Sequence, residues 1–293
     1  MFVAMKDILD AAYAGKYGVP AIPGNNEIQV RAAIEAAVEA NSPVIFLGYN
    51  RGNPAFIFRM IKDFAEQIDV PVAICLDHSP SFEDCVTGIR NGVSAIMADR
   101  SMLSYEENAR QVKQLAEIAH ACGVSIEAEL GHVGQGNNYS VDGVSMLTDP
   151  EEAKKFIDET GCDGLAVAIG TAHGTYSGTP HLDFERLAEI DAACHHPLVL
   201  HGGSGSGDEN IHRACTMGVA KVNIVTDVLA ATYQGILDGD FHGNAGHKLF
   251  PAIAKANKDA ILRCFEITGS TGKATAAKKA IEIANDYTDK VEK

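Results

Sequence analysis

PVAICLDHSPSFEDCVTGIRNGVSAIMAD, residues 71–99, opens and closes on an apolar run that ends in polar residues. The first run, Pro71–His78, stops at Asp77-His78, and the second, Ser94–Asp99, stops at Asp99. Neither shows polar alternation, as expected of parallel strands covered on both faces. Between them Glu83 and Asp84 read as helix-start acids, favoured there by the helix dipole. A strand, a helix and a second strand of the same kind imply a parallel sheet, either closed into a barrel or open and doubly wound.

Working outward, the same unit recurs along the chain. Further strands are expected at Pro20–Pro23, Pro43–Tyr49, Val124–Leu130, Gly164–Gly170, Pro197–Gly203 and Lys221–Ile224. Helical spacing marks Glu27–Ala40, Phe56–Gln67, Tyr105–Cys122, Asp149–Thr160 and Asp208–Met217. Ser104 precedes Glu107 in capping-box spacing, and Pro150 follows Thr148-Asp149 as a first-turn proline. Eight strands alternating with helices favour a closed α/β architecture, the (β/α)8 or TIM barrel, which takes roughly 250 residues. Two more helices, Ala252–Ile267 and Ala274–Asp289, extend it at the C-terminal end, so residues 1–293 read as one domain.

A formal charge of −15 excludes a basic face for nucleic acid, though not a small anionic substrate. Seven cysteines form no CxxC pair, as in a reduced, buried set, and no apolar run approaches 18 residues. These features predict a cytoplasmic protein without membrane or nucleic-acid partners.

Polar residues collect at the strand ends: Asp77, His78, Asp99, Glu127, Glu129, His173, His201 and Asn223. In a parallel barrel these ends share one rim, where active sites lie. His78, His173 and His201 at three strand ends predict a metal site, since three imidazoles suit zinc and leave one position open. His120, His195, His196, His212 and His242 fall in helices or connections and are expected in solvent. Asp77 is placed for proton exchange beside a polarised substrate, provided the strand departs from regularity at its end. Asp99 and Glu129 can orient the histidines or form a second cation position. Glu127 shares the parity of Glu129 and is expected to face the axis with it. HGGSGSGDEN, 201–210, runs from a strand into a helix, with Gly202, Gly203 and Ser204 offering backbone amides to an anion and Asn223 and Thr226 flanking it.

Several of these motifs together resemble the class II fructose- and tagatose-bisphosphate aldolases. They are LDH at 76–78, EAELG at 127–131, AIGTAHGTY at 168–176, LDFERL at 182–187, PLVLHGGSG at 197–205 and KVNIVTD at 221–227. GNN at 24–26 and GSTGKA at 269–274 extend the likeness over nearly the whole chain. The resemblance implies a homodimer or homotetramer that uses Zn2+, with cobalt or manganese as other candidates. It assigns His78, His173 and His201 to the metal, with Asp99 and Glu129 as an alternative position. It makes Asp77 the acid/base for the aldehyde oxygen. Gly174, Gly202, Ser204, Asn223 and Thr226 fall around a ketose phosphate, and Asn25 and Asn223 become donors to the enediolate oxygen. The implied reaction is reversible retro-aldol cleavage of a ketose or ketose phosphate to dihydroxyacetone, free or phosphorylated, and an aldehyde.

The chain departs from the resemblance at the phosphate contacts. Ser177-Gly178 stands where relatives carry a lysine after the motif tyrosine, and Tyr49 replaces a serine after the second strand. Asn137 stands near the place of the loop glutamate, and NAGH puts His247 at an arginine position. Arg51 and Arg100 are candidate replacement cations, so the expected substrate is not fructose 1,6-bisphosphate. A metal-dependent epimerase or lyase would use the same histidines, and a non-catalytic sugar-binding relative would keep the scaffold. Schiff-base chemistry at Lys221 is disfavoured, because a lysine beginning the eighth strand belongs to the opposite, stability face.

Overall fold

All eight apolar runs form strands. The structure is a computed structural model that describes residues 1–135, 140–141, 144–145, 147–174 and 176–274. The strands are β1 (Val19–Pro23), β2 (Val44–Gly48), β3 (Val72–Ser79), β4 (Ala95–Ala98), β5 (Ser125–Leu130), β6 (Gly164–Val167), β7 (Leu198–Leu200) and β8 (Val219–Asn223). Each pairs in parallel with its sequence neighbours, and β1 pairs with both β2 and β8, so the barrel is closed. The described helices are α1 (Met5–Gly15), α2 (Glu27–Ala40), α3 (Pro54–Ala65), α4 (Phe82–Asn91), α5 (Tyr105–Ala121), α6 (Pro150–Thr160), α7 (Phe184–Cys194), α8 (Asp208–Thr216), α9 (Thr226–Leu237) and α10 (Leu249–Thr268). The helix signals act as expected: Ser104 Oγ accepts from the Glu107 N–H, and Asp149 caps α6 ahead of Pro150. The expectations for Asn137 and for a helix running on past Ala274 lie outside the described residues.

Strand alternation divides the core into two shells. Ile22, Phe46, Ile74 and Ile96 face outward against the helices. Val19, Ala21, Ile45, Leu47, Ala73, Cys75, Ala95 and Met97 form a separate apolar cluster with α1. Ala21, Ala73 and Ala95 are small and fully buried, and Leu9 of α1 packs in the same cluster. Helix α1, which the sequence reading does not contain, packs against β1, β3, β5 and β8 and buries Met5, Ile8, Leu9 and Ala12. It therefore stoppers the N-terminal mouth of the barrel. Leu9 reaches so far in that a Cβ on Gly164 would lie 2.9 Å from its methyl group. Among the described residues no helix is long and apolar enough to cross a membrane.

Because Leu9 is fully buried, Leu9→Ala is expected to destabilise the fold by about 2–5 kcal/mol. Equilibrium denaturation in urea checks this, and a loss below about 1 kcal/mol would mean that α1 does not seal the barrel.

Candidate active site

The strand ends do converge, and they do so through one irregular residue. His78 has φ 43°, a left-handed conformation that a side chain with a Cβ rarely adopts. The β3–β4 register shifts between Leu76 and Ser79 at the same point. This break is what lets consecutive residues, Asp77 and His78, reach the same site. Three contacts hold it: the His78 N–H lies 3.4 Å from Met97 Sδ, His78 Nδ1 lies 2.8 Å from Asp99 Oδ2, and the Ser79 carbonyl accepts from Arg100 at 2.7 Å.

Ring nitrogens of the three histidines meet edge to edge. His78 Nε2 lies 3.2 Å from His173 Nε2 and 3.1 Å from His201 Nδ1, and the last pair is 3.4 Å apart. Ligands at roughly 2.0–2.1 Å from a tetrahedral ion are separated by about 3.3–3.4 Å, so the triangle fits a small divalent cation. Two other ring positions are held by carboxylates: Asp99 on His78 Nδ1 and Glu127, 2.9 Å from His201 Nε2. Both fix which nitrogen faces the centre. His78, Asp99 and Glu129 form a second group whose ligand atoms lie within 4.8 Å of one another. Glu129 Oε2 is buried without a hydrogen-bond partner among the described residues, which suits a cation there.

The electrostatics follow from this crowding. Burial pulls His78 down, but Asp99, Asp77 and Glu129 outweigh it and hold the ring up at about 9. Burial and the neighbouring His78 lower His173 to about 4, and burial with His78 and Lys221 holds His201 well below its usual range. Asp99 is held well below the usual carboxylate range despite burial, chiefly by its bond to His78.

Asp77 is nearly buried and clamped on both oxygens. Tyr49 donates to Oδ2 at 3.1 Å and Asn223 Nδ2 donates to Oδ1 at 3.2 Å. The tyrosine that replaces the expected serine thus touches the candidate acid, a contact that its position after β2 alone does not announce. Its hydroxyl is pushed up by burial and by Asp77. A cavity of about 220 Å³ opens beside this pair, lined by Tyr49, Asn50, Arg51, Asp77, His78 and Asp84. Arg51 is exposed, its guanidinium 5.9 Å from the centre of the Tyr49 ring. A larger groove of about 750 Å³ between α9 and α10 includes none of the histidines.

The glycine loop is tighter than its sequence implies. Gly202 has φ 66°, and a Cβ there would fall 2.3 Å from the Ala172 carbonyl oxygen, so no other residue fits. The expectation that Gly203 offers its amide to an anion is corrected, because that N–H donates to the Asn223 carbonyl at 3.0 Å. Gly205 donates to the Asp227 carboxylate, and Ser204 Oγ accepts from the Asp227 N–H. The Gly202 and Ser204 amides, without partners among the described residues, are left for a ligand, with exposed Thr226 in the first turn of α9 nearby. Gly174, φ 93°, follows His173 directly. Asn25 is exposed after β1, its N–H donating to Gln29, and no described contact ties it to Asp77 or the histidines.

Three further expectations change. Arg100 is not a substrate cation: it is buried and binds Gln111 and the Ser79 and Asp99 carbonyls. Lys221 does not begin its strand at the far face but lies fully buried in mid-strand, 2.8 Å from Glu127 Oε2. His196 is half-buried rather than solvated, and burial lowers it, whereas His195, His212 and His242 are exposed and His120 pairs with Asp163. His132, to which the sequence reading assigns no role, lies 3.0 Å from Ser101 Oγ and 3.6 Å from Glu129. Its place three residues after Glu129 is the signal that could have found it.

A family described as Fructose-bisphosphate aldolase class-II matches residues 3–273. Among solved structures, the YdjI aldolase from Escherichia coli K12 is 32% identical with a TM-score of 0.84, over 94% of this chain and 100% of that one. A candidate fructose-1,6-bisphosphate aldolase from Coccidioides immitis is 30% identical with a TM-score of 0.83, over 92% and 96%. The fructose-bisphosphate aldolase of Campylobacter jejuni shares the fold, at 23% identity, with a TM-score of 0.75 over 93% and 97%.

Zinc titration of the metal-free protein followed by calorimetry is expected to show His173→Ala losing tight binding outright. Asp99→Ala, which removes the carboxylate on His78 Nδ1, is expected to weaken it about 10–100-fold. Tight binding retained by His173→Ala would remove that ring from the ligand set.

Proposed function

Because this chain belongs to the class II fructose-bisphosphate aldolase family, we propose that it is a zinc-dependent lyase performing reversible retro-aldol cleavage, and that its substrate is not fructose 1,6-bisphosphate. The observation that carries the reading is the juxtaposition of three convergent imidazole nitrogens with a carboxylate, Asp77, held on both oxygens. His78, His173 and His201 would hold the ion, and Asp99 and Glu129 can hold it in a second position. When bound, a divalent ion supplies Lewis-acid polarisation of a ketose carbonyl and stabilises the charge left as the C3–C4 bond breaks.

The chain's own residues supply the remainder. Asp77 takes the proton from the hydroxyl that becomes the aldehyde and returns one in the reverse direction. Tyr49 and Asn223 keep its carboxylate aimed, and the second N–H of Asn223, with Asn25, is available to the developing oxyanion. The Gly202 and Ser204 amides and Thr226 take the phosphate or hydroxyl end of the dihydroxyacetone half, beside Gly174.

Cation content argues against a bisphosphate. Ser177 and Gly178 are exposed and carry no charge where relatives have lysine. His247 sits in the exposed turn Gly243–Lys248, its Nδ1 2.8 Å from the Asn244 carbonyl. Each charge-assisted contact contributes about 1.5–3 kcal/mol, so two losses weaken a bisphosphate complex by at least a hundredfold. With Arg100 engaged in the backbone, we assign Arg51, which lines the cavity beside Asp77, to the distal end of the substrate. We therefore read the substrate as an unphosphorylated, singly phosphorylated or acidic ketose, handled by a cytoplasmic homo-oligomer.

The zinc-loaded protein is expected to release dihydroxyacetone, or its phosphate, from one member of a panel of ketoses, ketose phosphates and ketose acids, and to stop when a chelator is added. Cleavage of nothing on the panel by metal-bound protein, or isomerisation without cleavage, would sink the lyase reading. Asp77→Asn should lower kcat by about 10²–10⁴-fold with zinc content unchanged. Arg51→Ala should raise KM about tenfold or more for substrates with an anionic tail. Kinetics unchanged on every substrate would remove Arg51 from the site.

A further inference from the structure

Lys221 is fully buried in the barrel, and the chemistry proposed above does not use it. Its register explains its direction. On β8 it pairs with Val19 and Val199, and Val19 belongs to the cluster inside the ring, so Lys221 also faces the axis. From there its ammonium group meets Glu127, which comes from β5 on the other side of two intervening strands. The contact uses both carboxylate oxygens, at 3.0 Å to Oε1 and 2.8 Å to Oε2.

Glu127 Oε1 has a second partner, His201 Nε2, at 2.9 Å. A neutral imidazole carries one N–H, and a carboxylate on Nε2 claims it. Nδ1 then presents its lone pair to the point where His78 and His173 converge. His201 therefore differs from His78 and His173, which both present Nε2. Asp99, which orients His78, is anchored by Ser101 at the rim and is partly exposed. No backbone donor is among the described contacts of Glu127. Besides His201 itself, its side-chain donors are Lys221 and, at 4.0 Å from Oε2, the weak thiol donor of Cys75; of these Lys221 is the one that grips both oxygens.

We propose that Lys221 is a positioning residue: by gripping both oxygens of Glu127 it fixes the ring of His201 so that Nδ1 faces the ion site. The proposal rests on the reading of His201 as a metal ligand. Lys221 touches neither substrate nor ion in this scheme. Its role is to leave Glu127 one orientation, and through it to leave His201 one tautomer.

The test measures two properties of Lys221→Met. Imidazole nitrogen shifts in the metal-free protein report which nitrogen of His201 bears the hydrogen. Chelator competition reports zinc affinity. The parent is expected to hold the Nε2–H tautomer, and Lys221→Met to lose that preference and bind zinc about 10–100-fold more weakly. Should the single variant fail to fold with an unpaired carboxylate, Glu127→Gln/Lys221→Met replaces it. That pair removes both charges and leaves an amide without the grip of Lys221 on both oxygens, so the same two losses are expected. A folded variant with the parental tautomer and the parental zinc affinity overturns the proposal, because a lysine that only fills the core would leave both unchanged. If the parent itself bound no zinc, the metal reading would fall, and the tautomer in the metal-free protein would still decide the role of Lys221.

Discussion

A strand sends consecutive side chains to opposite faces, and this site needs two consecutive ones together. Everything at the rim depends on how β3 escapes that rule. The left-handed backbone at His78 costs roughly 1–2 kcal/mol for a residue with a Cβ. It persists because its surroundings leave no alternative. Asp99 holds the ring, Met97 meets the N–H, and Arg100 binds the next carbonyl. Arg100 also binds the Asp99 carbonyl, so one guanidinium ties the ends of β3 and β4 together. A buried cation without a carboxylate partner is uncommon. Here backbone carbonyls and Gln111 take the place of the carboxylate.

Below the rim, the barrel interior grades from apolar to polar along its axis. Ala73 and Ala95 lie in the cluster with α1, Met97 pairs with Glu127 while Cys75 and Lys221 both reach its carboxylate, and Asp77 and the histidines stand at the strand ends. Glu127 and Lys221 are each fully buried, and either one alone would cost several kcal/mol. Together they neutralise each other. Burial pulls the lysine's pKa down and Glu127 more than offsets it. A charged pair thus sits beneath the histidines without net charge, tied to them through the contact of Glu127 with His201.

The fold is legible because the strands are continuous apolar runs and β3 to β8 lead into polar, chemistry-bearing residues. Parity also placed Glu127 and Glu129 correctly toward the axis. At Asp77-His78 the strand does leave regularity as the reading requires, but the contacts that hold the kink, from Met97, Asp99 and Arg100, are not local to it. Lys221 was misplaced because a charged residue inside an apolar run reads as a strand start. Its partner stands 94 positions away, on a strand that is not its neighbour. The loop glycines follow His201 directly, but the amide of Gly203 is committed to Asn223, and only the folded backbone reveals that. Helix α1 escaped notice because it precedes the first strand and so stands outside the alternation that revealed the others.

That helix has a consequence for traffic. With α1 over the N-terminal mouth and Glu127 and Lys221 buried on the axis above it, the barrel interior is closed to solvent beneath the histidines. A small molecule meets Asp77 and His78 from the strand-end side, where the cavity beside Tyr49 and Arg51 opens. The segments that follow the strands therefore control what arrives and what departs.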